Sequence, residues 1–243
     1  MINQQKLDAI WQLIQSSPIT GLLLTLSVYS FASYLYRKSN HNPLVNPVII
    51  SIIVIISILL ITGISYQDYF AGGSLVHFLL GPAVVALAIP LYQQSHRIKK
   101  LLLPITITLI CSVFIGSLSV IYISDWLGAS LLTQISLSPK SATTPVAMGI
   151  SENIGGVVSL TAGLATATGV IGAIIGTKIF SIMKLKDDSI KGIAMGLTSH
   201  GIGTARAFQV SDRMGAFSGL AMAITAIATA ILLPIILSFL NLI

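Results

Sequence analysis

The segment Thr198-Ser199-His200-Gly201-Ile202-Gly203-Thr204-Ala205-Arg206 gathers three hydroxyls, an imidazole and a guanidinium within an otherwise apolar stretch. Charge at membrane depth is costly and marks a substrate or ion path. Arginine stays charged, and its planar donor fork fits a carboxylate. A half-helix starting near Gly203 would aim free N–H groups and its positive dipole end into a break made by Gly201 and Gly203. This chemistry suits a small anion. A histidine at such a place offers a hydrogen bond or, near neutral pH, a proton. The bland alternative is that Arg206 snorkels to the membrane interface. The Gly-x-Gly is no dinucleotide fingerprint, because Arg206 stands at the third glycine position and no strand precedes it.

A second polar cluster runs from Ser138 through Lys140, Thr143, Thr144 and Pro145 to Met148, followed by Ser151-Glu152-Asn153-Ile154-Gly155-Gly156. Thr144 before Pro145 reads as an N-cap with proline at N1, and Gly155-Gly156 as a stop. The helix between them has about ten residues, too short to span a bilayer. It reads as re-entrant, with its N-terminus turned to an anion; an ordinary loop helix is the alternative. Lys140 would meet that anion or pair with Glu152.

Composition says what must position these groups. Only 13 Lys and Arg and 7 Asp and Glu occur in 243 residues, while 54% are hydrophobic. Twenty charges cannot cover a soluble fold of this length, which excludes an ordinary cytosolic enzyme and a disordered chain. The apolar runs are continuous, which excludes a barrel. The chain therefore reads as an all-α, multi-pass membrane protein with about seven transmembrane helices, at 18–36, 47–64, 74–93, 101–124, 157–179, 191–209 and 215–240, plus the re-entrant segment. Residues 1–243 form one transmembrane domain: 1–46 as lead-in and first span, 47–124 and 157–243 as two repeats, and 125–156 as the re-entrant part. The N-terminus lacks a cleavable signal pattern, and Leu7–Ile14 reads as an amphipathic lead-in.

Each repeat has three crossings and one interruption, at Gly81-Pro82 and at 200–203. Inverted repeats with paired broken helices are a transporter signature. Nine of the 13 basic residues follow the first, third and fifth spans, which makes that side cytoplasmic and puts the C-terminus inside. Gly172-x-x-x-Gly176, Gly192-x-x-x-Gly196 and Gly215-x-x-x-Gly219 allow close helix contact, within the chain or between copies.

Other classes find little support. There is no basic stripe with aromatic platforms for nucleic acid. The single cysteine, Cys111, and the scattered histidines offer no metal-ligand spacing, and no cofactor motif occurs. His200 has no acid in its span and Gly-x-Ser-x-Gly is absent, so an enzyme is not expected.

The residues from Ser138 to Met148, Ile154-Gly-Gly, Gly196 to Ala207 and Gly215-Ala-Phe-Ser-Gly-Leu-Ala221 resemble the LrgB/CidB family of antiholin-like bacterial membrane proteins, and Phe78 to Tyr92 is similar to its first-half motif. The resemblance covers roughly residues 20–240 and implies a cytoplasmic-membrane location. It implies two functional stories. One is control of murein hydrolase activity and lysis, with a small LrgA/CidA-type partner. The other is transport, because a related plastid protein exchanges glycolate and glycerate. Relatives often carry acids where this chain has Gln209 and Met214, so the resemblance does not imply proton coupling through acids at those two positions. The residues favour a carrier of small monocarboxylates (pyruvate, lactate, glycolate or glycerate), proton-coupled or exchanging. Lys140, Thr143, Thr144, Ser199, His200, Thr204 and Arg206 would bind the anion. Gly81, Pro82, Pro145, Gly201 and Gly203 would shape the breaks. Glu152 or His200 would handle the proton. The runner-up is an antiholin-like regulator that assembles through its Gly-x-x-x-Gly faces, and a homo-oligomer is expected.

Overall fold

The structure, a computed structural model, describes residues 17–39, 42, 45–86 and 88–243. Leu7–Ile14 lies outside them. Among the described residues there are twelve helices and no strand. The chain divides into two compact units, residues 1–86 and 87–243.

In the first unit, α1 (Pro18–Lys38) and α2 (Pro47–Thr62) each start on a proline, where a missing N–H needs no partner. Asn46 caps α2 by accepting from Val48 N–H at 2.9 Å, and Gly63 ends it at φ 71°. Then come α3 (Tyr66–Phe78) and α4 (Leu80–Ala86). α1 and α3 cross closely where Gly21 faces the Tyr69 carbonyl and Gly72 faces the Pro18 carbonyl. The Thr25 and Tyr69 hydroxyls meet there at 2.9 Å. The break expected at Gly81-Pro82 falls two residues earlier. Both residues sit inside α4, and the interruption falls before them, at Leu79. Pro82 lies in the first turn of α4, where proline is tolerated.

The second unit holds α5 (Ala88–Gln93), α6 (Ser95–Lys100), α7 (Leu102–Trp126), α8 (Leu131–Leu137), α9 (Thr144–Asn153), α10 (Val158–Ile182), α11 (Asp188–Val210) and α12 (Asp212–Phe239). The expected crossing at 74–93 is thus divided among α3, α4 and α5. Among the described residues four helices, α1, α7, α10 and α12, are long and apolar enough to cross a membrane, and α2 is a shorter apolar helix.

The expected crossing at 191–209 is a hairpin. A straight helix of α11's 23 residues would separate its ends by about 34 Å. Instead Ser211 Oγ donates to Asp188 Oδ2 at 2.8 Å, so the segment leaves where it entered. The reversal is at His200, whose φ of 37° and ψ of −129° are not helical. Residues 188–199 run along α12, with Gly192 on the Met214 carbonyl and Gly196 on the Ser218 carbonyl. Residues 201–210 return, with Thr204 again at Ser218 and Phe208 against Gly215. Glycine also admits the hairpin's first arm to α10, where Gly172 faces Ser199 and Gly176 faces Met195. The Gly-x-x-x-Gly faces at 172–176 and 192–196 are therefore consumed inside the unit and are not free for assembly.

α7 and α12 run parallel. Ile105 and Leu109 pack with Phe217 and Ala221, and Ile121 packs with Leu233 and Leu237. Their starting ends share one pole with the base of the α11 hairpin. Arg97 Nη2 meets Asp187 Oδ2 there at 2.6 Å, both side chains 39% exposed.

Asp187 caps α11 by accepting from Ser189 N–H at 2.8 Å. That bond first, with Arg97 and Arg213 adding to it, holds its carboxyl below the ordinary value of 3.8, against an opposing effect of burial. A depressed folded-state value stabilises the fold above the ordinary pKa, and the contribution is lost as pH falls through the folded value. Asp187→Asn keeps a cap acceptor and removes the charge. Its melting temperature is expected to lie a few degrees below that of the parent at pH 7, with the gap closing as the pH is taken below 3.8. Parallel melting curves across pH check this.

Candidate functional site

α8 and α9 form a second hairpin, entering from the pole opposite the Arg97–Asp187 pair. α9 starts at Thr144 with Pro145 in its first turn, so the cap position is Thr143 rather than Thr144. Gly155, at φ 79°, follows its end. A hydroxyl network ties both arms to α10. Thr161 Oγ1 lies 2.8 Å from Ser136 O and 2.7 Å from Ser151 Oγ, and Val157 N–H donates to Ser136 Oγ at 2.8 Å. This network escaped the sequence reading, because isolated serines and threonines in apolar helices are common.

The two hairpin tips converge on the middle of α10. His200 Nε2 is 2.9 Å from the Ala165 carbonyl, so that nitrogen carries the proton and donates. Thr144 and Thr166 hydroxyls lie 3.4 Å apart, one residue along α10. Ser199 is fully buried beside Gly172 and 3.2 Å from the Thr198 hydroxyl. Thr204 Oγ1 donates to His200 O at 2.8 Å and meets Ser218 Oγ at 2.9 Å. At the other tip, Lys140 is half-buried with Nζ 3.4 Å from Ser141 Oγ, and Ser141 neighbours Gly116 of α7.

α12 closes the region. Met222 lies by Gly201, at the His200 tip, whereas Leu233 packs with Ala142 and Ala147 of the other hairpin. Thr225 stands between these levels, 2% exposed, and its Oγ1 has no hydrogen-bond partner among the described residues. Threonines on long apolar helices usually bond their own backbone, so nothing in the sequence singled this one out.

Two of the polar candidates lie elsewhere. Arg206 is six residues down the return arm, about 9 Å from the tip, where Nη1 donates to Gln209 Oε1 at 3.0 Å. Glu152 is exposed near the end of α9. Gly201 is helical and nearly free of neighbours, so the break is made by His200; Gly203 instead lets the two arms approach at Ser199 and Met195.

The LrgB-like family matches residues 25–239, which include both hairpins. The chain belongs to that family. It is 35% identical to the holin-like protein CidB of Staphylococcus epidermidis over 216 residues, 89% of this chain and 94% of the relative. The CidB of Staphylococcus aureus is 34% identical over the same shares. An uncharacterized protein of Bacillus subtilis is 34% identical over 91% of this chain and 98% of its own length. No solved structure matches. This LrgB-like chain, with four long apolar helices, is a multi-pass bacterial membrane protein.

Proposed function

We propose that this LrgB-like protein is a holin-like regulator of murein hydrolase activity and lysis, acting in the cytoplasmic membrane with a small membrane partner. The observation that carries this reading is the 35% identity to a holin-like protein over 89% of the chain. Its assembly surface differs from the one expected, because the glycine faces at 172–176 and 192–196 are occupied internally. The lipid-facing sides of the long helices remain for a partner.

Topology follows from the hairpins. In residues 87–243, α7, α10 and α12 cross, and the two hairpins re-enter from opposite sides. The order span, hairpin, span, hairpin, span contains an inverted repeat shorter than the one expected. Folding 191–209 back brings Arg206 and Arg213 to the Arg97–Asp187 pole. Nine of the ten Lys and Arg of this part then share one end, and only Lys140 lies away. The basic end is cytoplasmic. One crossing fewer puts the C-terminus outside rather than inside.

Deletion of the gene in its host is expected to change cell-wall hydrolase activity on zymograms and the rate of detergent-induced lysis, with both restored by re-expression. Unchanged zymograms and lysis would remove this reading.

A second reading, passage of a small monocarboxylate, is favoured by one observation: a buried histidine tip and a buried unpartnered hydroxyl, Thr225, lie at the level where two hairpins meet. Non-helical backbone in a bilayer persists where it is buried in protein or lines a water-filled path. Proteoliposomes are expected to take up labelled pyruvate, lactate, glycolate or glycerate saturably. Lys140→Gln should cut uptake about tenfold, the scale of one charge-assisted hydrogen bond. Folded protein that moves none of these acids excludes the carrier and leaves the regulator standing.

A further inference from the structure

A cavity of about 800 Å³ opens between α6, the first half of α7 and the first arm of the α11 hairpin. Its charged groups gather at one end. His96, Arg97 and Lys100 stand at the basic pole, while Ile105, Ile193 and Leu197 line the deeper wall. From residue 189 to Leu197 the lining runs about 12 Å along the helix, two turns into the apolar layer. Arg97 is neutralised by Asp187. Lys100 is exposed and has no ion-pair partner among the described residues. The mouth thus offers one uncompensated lysine charge beside an imidazole, and the body offers mainly hydrocarbon contact, since the Thr108 hydroxyl there donates to the Pro104 carbonyl.

We infer that this cavity holds an anionic phospholipid, its phosphate at Lys100 and His96 and an acyl chain along Ile105, Ile193 and Leu197. A free phosphate would use the mouth alone and leave the apolar wall empty. A zwitterionic lipid brings its own cation to a mouth that is already positive. Basic pockets between membrane helices on the cytoplasmic side suit anionic headgroups, and each cation near the surface strengthens such binding by about fivefold.

The test is native mass spectrometry of the full chain released from vesicles of equimolar phosphatidylglycerol and phosphatidylcholine. The parent protein is expected to retain phosphatidylglycerol in preference. Lys100→Gln should reduce that retention about fivefold. Thr108→Trp, at an exposed position lining the cavity, should fill it and displace the lipid with little risk to folding. Lys99→Gln, next to the cavity but not lining it, removes the same charge from the surface and should reduce retention clearly less than Lys100→Gln. Equal retention of both lipids would overturn the proposal. So would retention indifferent to Thr108→Trp, which would mean the headgroup is held without the cavity. Full displacement by millimolar inorganic phosphate would assign the site to phosphate and also overturn it.

Discussion

Gly196→Ala is expected to leave little folded protein. An added Cβ would overlap the Ser218 carbonyl oxygen, lie 2.9 Å from the carbonyl carbon and 3.0 Å from the Ala221 Cβ. Overpacking usually costs about 1–3 kcal/mol, when side chains can turn away. A backbone carbonyl inside α12 cannot turn away, so the hairpin's first arm must separate from α12 along its length. That separation would also pull at Gly192 and at the Thr204–Ser218 contact of the return arm. A loss of about 3 kcal/mol or more is a large part of a typical stability of about 5–15 kcal/mol. Gly201→Ala is the matched control. Its Cβ would meet only Met222 Sδ at 3.9 Å, and alanine in a helix is favoured over glycine by about 0.5–1 kcal/mol. In detergent, Gly196→Ala should melt about 10 °C below the parent or fail to accumulate, and Gly201→Ala should melt at or slightly above it. Similar melting of the two variants would mean that the close approach at Gly196 does not hold the hairpin.

That pair of glycines also shows where sequence reading stops. Charge-free windows located α1, α7, α10 and α12 to within a few residues, because lipid demands long apolar helices and tolerates few ions. The ten-residue α9 was legible from Pro145 and Gly155. The hairpin at α11 was not. Its arms, 188–199 and 201–210, add up to the length of one span, and hydropathy reports total length, not direction. The reversal rests on a backbone conformation at His200, beside two glycines that attract attention for the wrong reason. Ser211-Asp212-Arg213 held the missing signal. Its polar groups belong with Asp187 and Asp188, and the Ser211–Asp188 bond joins them. Once the return is recognised, Arg206 moves from the site toward the basic pole. The interruption expected at 200–203 does fall there, at His200. That the two hairpin tips share α10 at Ala165 and Thr166 depends on packing that no local pattern encodes.

His200→Gly is expected to separate folding from function. The backbone of His200, at φ 37° and ψ −129°, lies where glycine is at ease and other residues are strained by about 1–3 kcal/mol. Its bond to the Ala165 carbonyl offsets part of that, since hydrogen bonds between membrane helices contribute about 0.6 kcal/mol on average. Packing of the ring against Gly169 adds a similar small amount. Relief of strain and loss of contacts nearly cancel, so His200→Gly should melt close to the parent. His200→Ala keeps the strained backbone and loses the same contacts, so it should melt several degrees lower. A tip selected for folding alone would carry glycine. From the strained, buried imidazole at the meeting point of two hairpins we infer that His200 serves function rather than folding. The folded His200→Gly protein should fail to restore hydrolase control in deleted cells and, in vesicles, should pass no carboxylate. Full complementation by His200→Gly would reduce the imidazole to packing and move the search for the working group to Lys140 and Thr225.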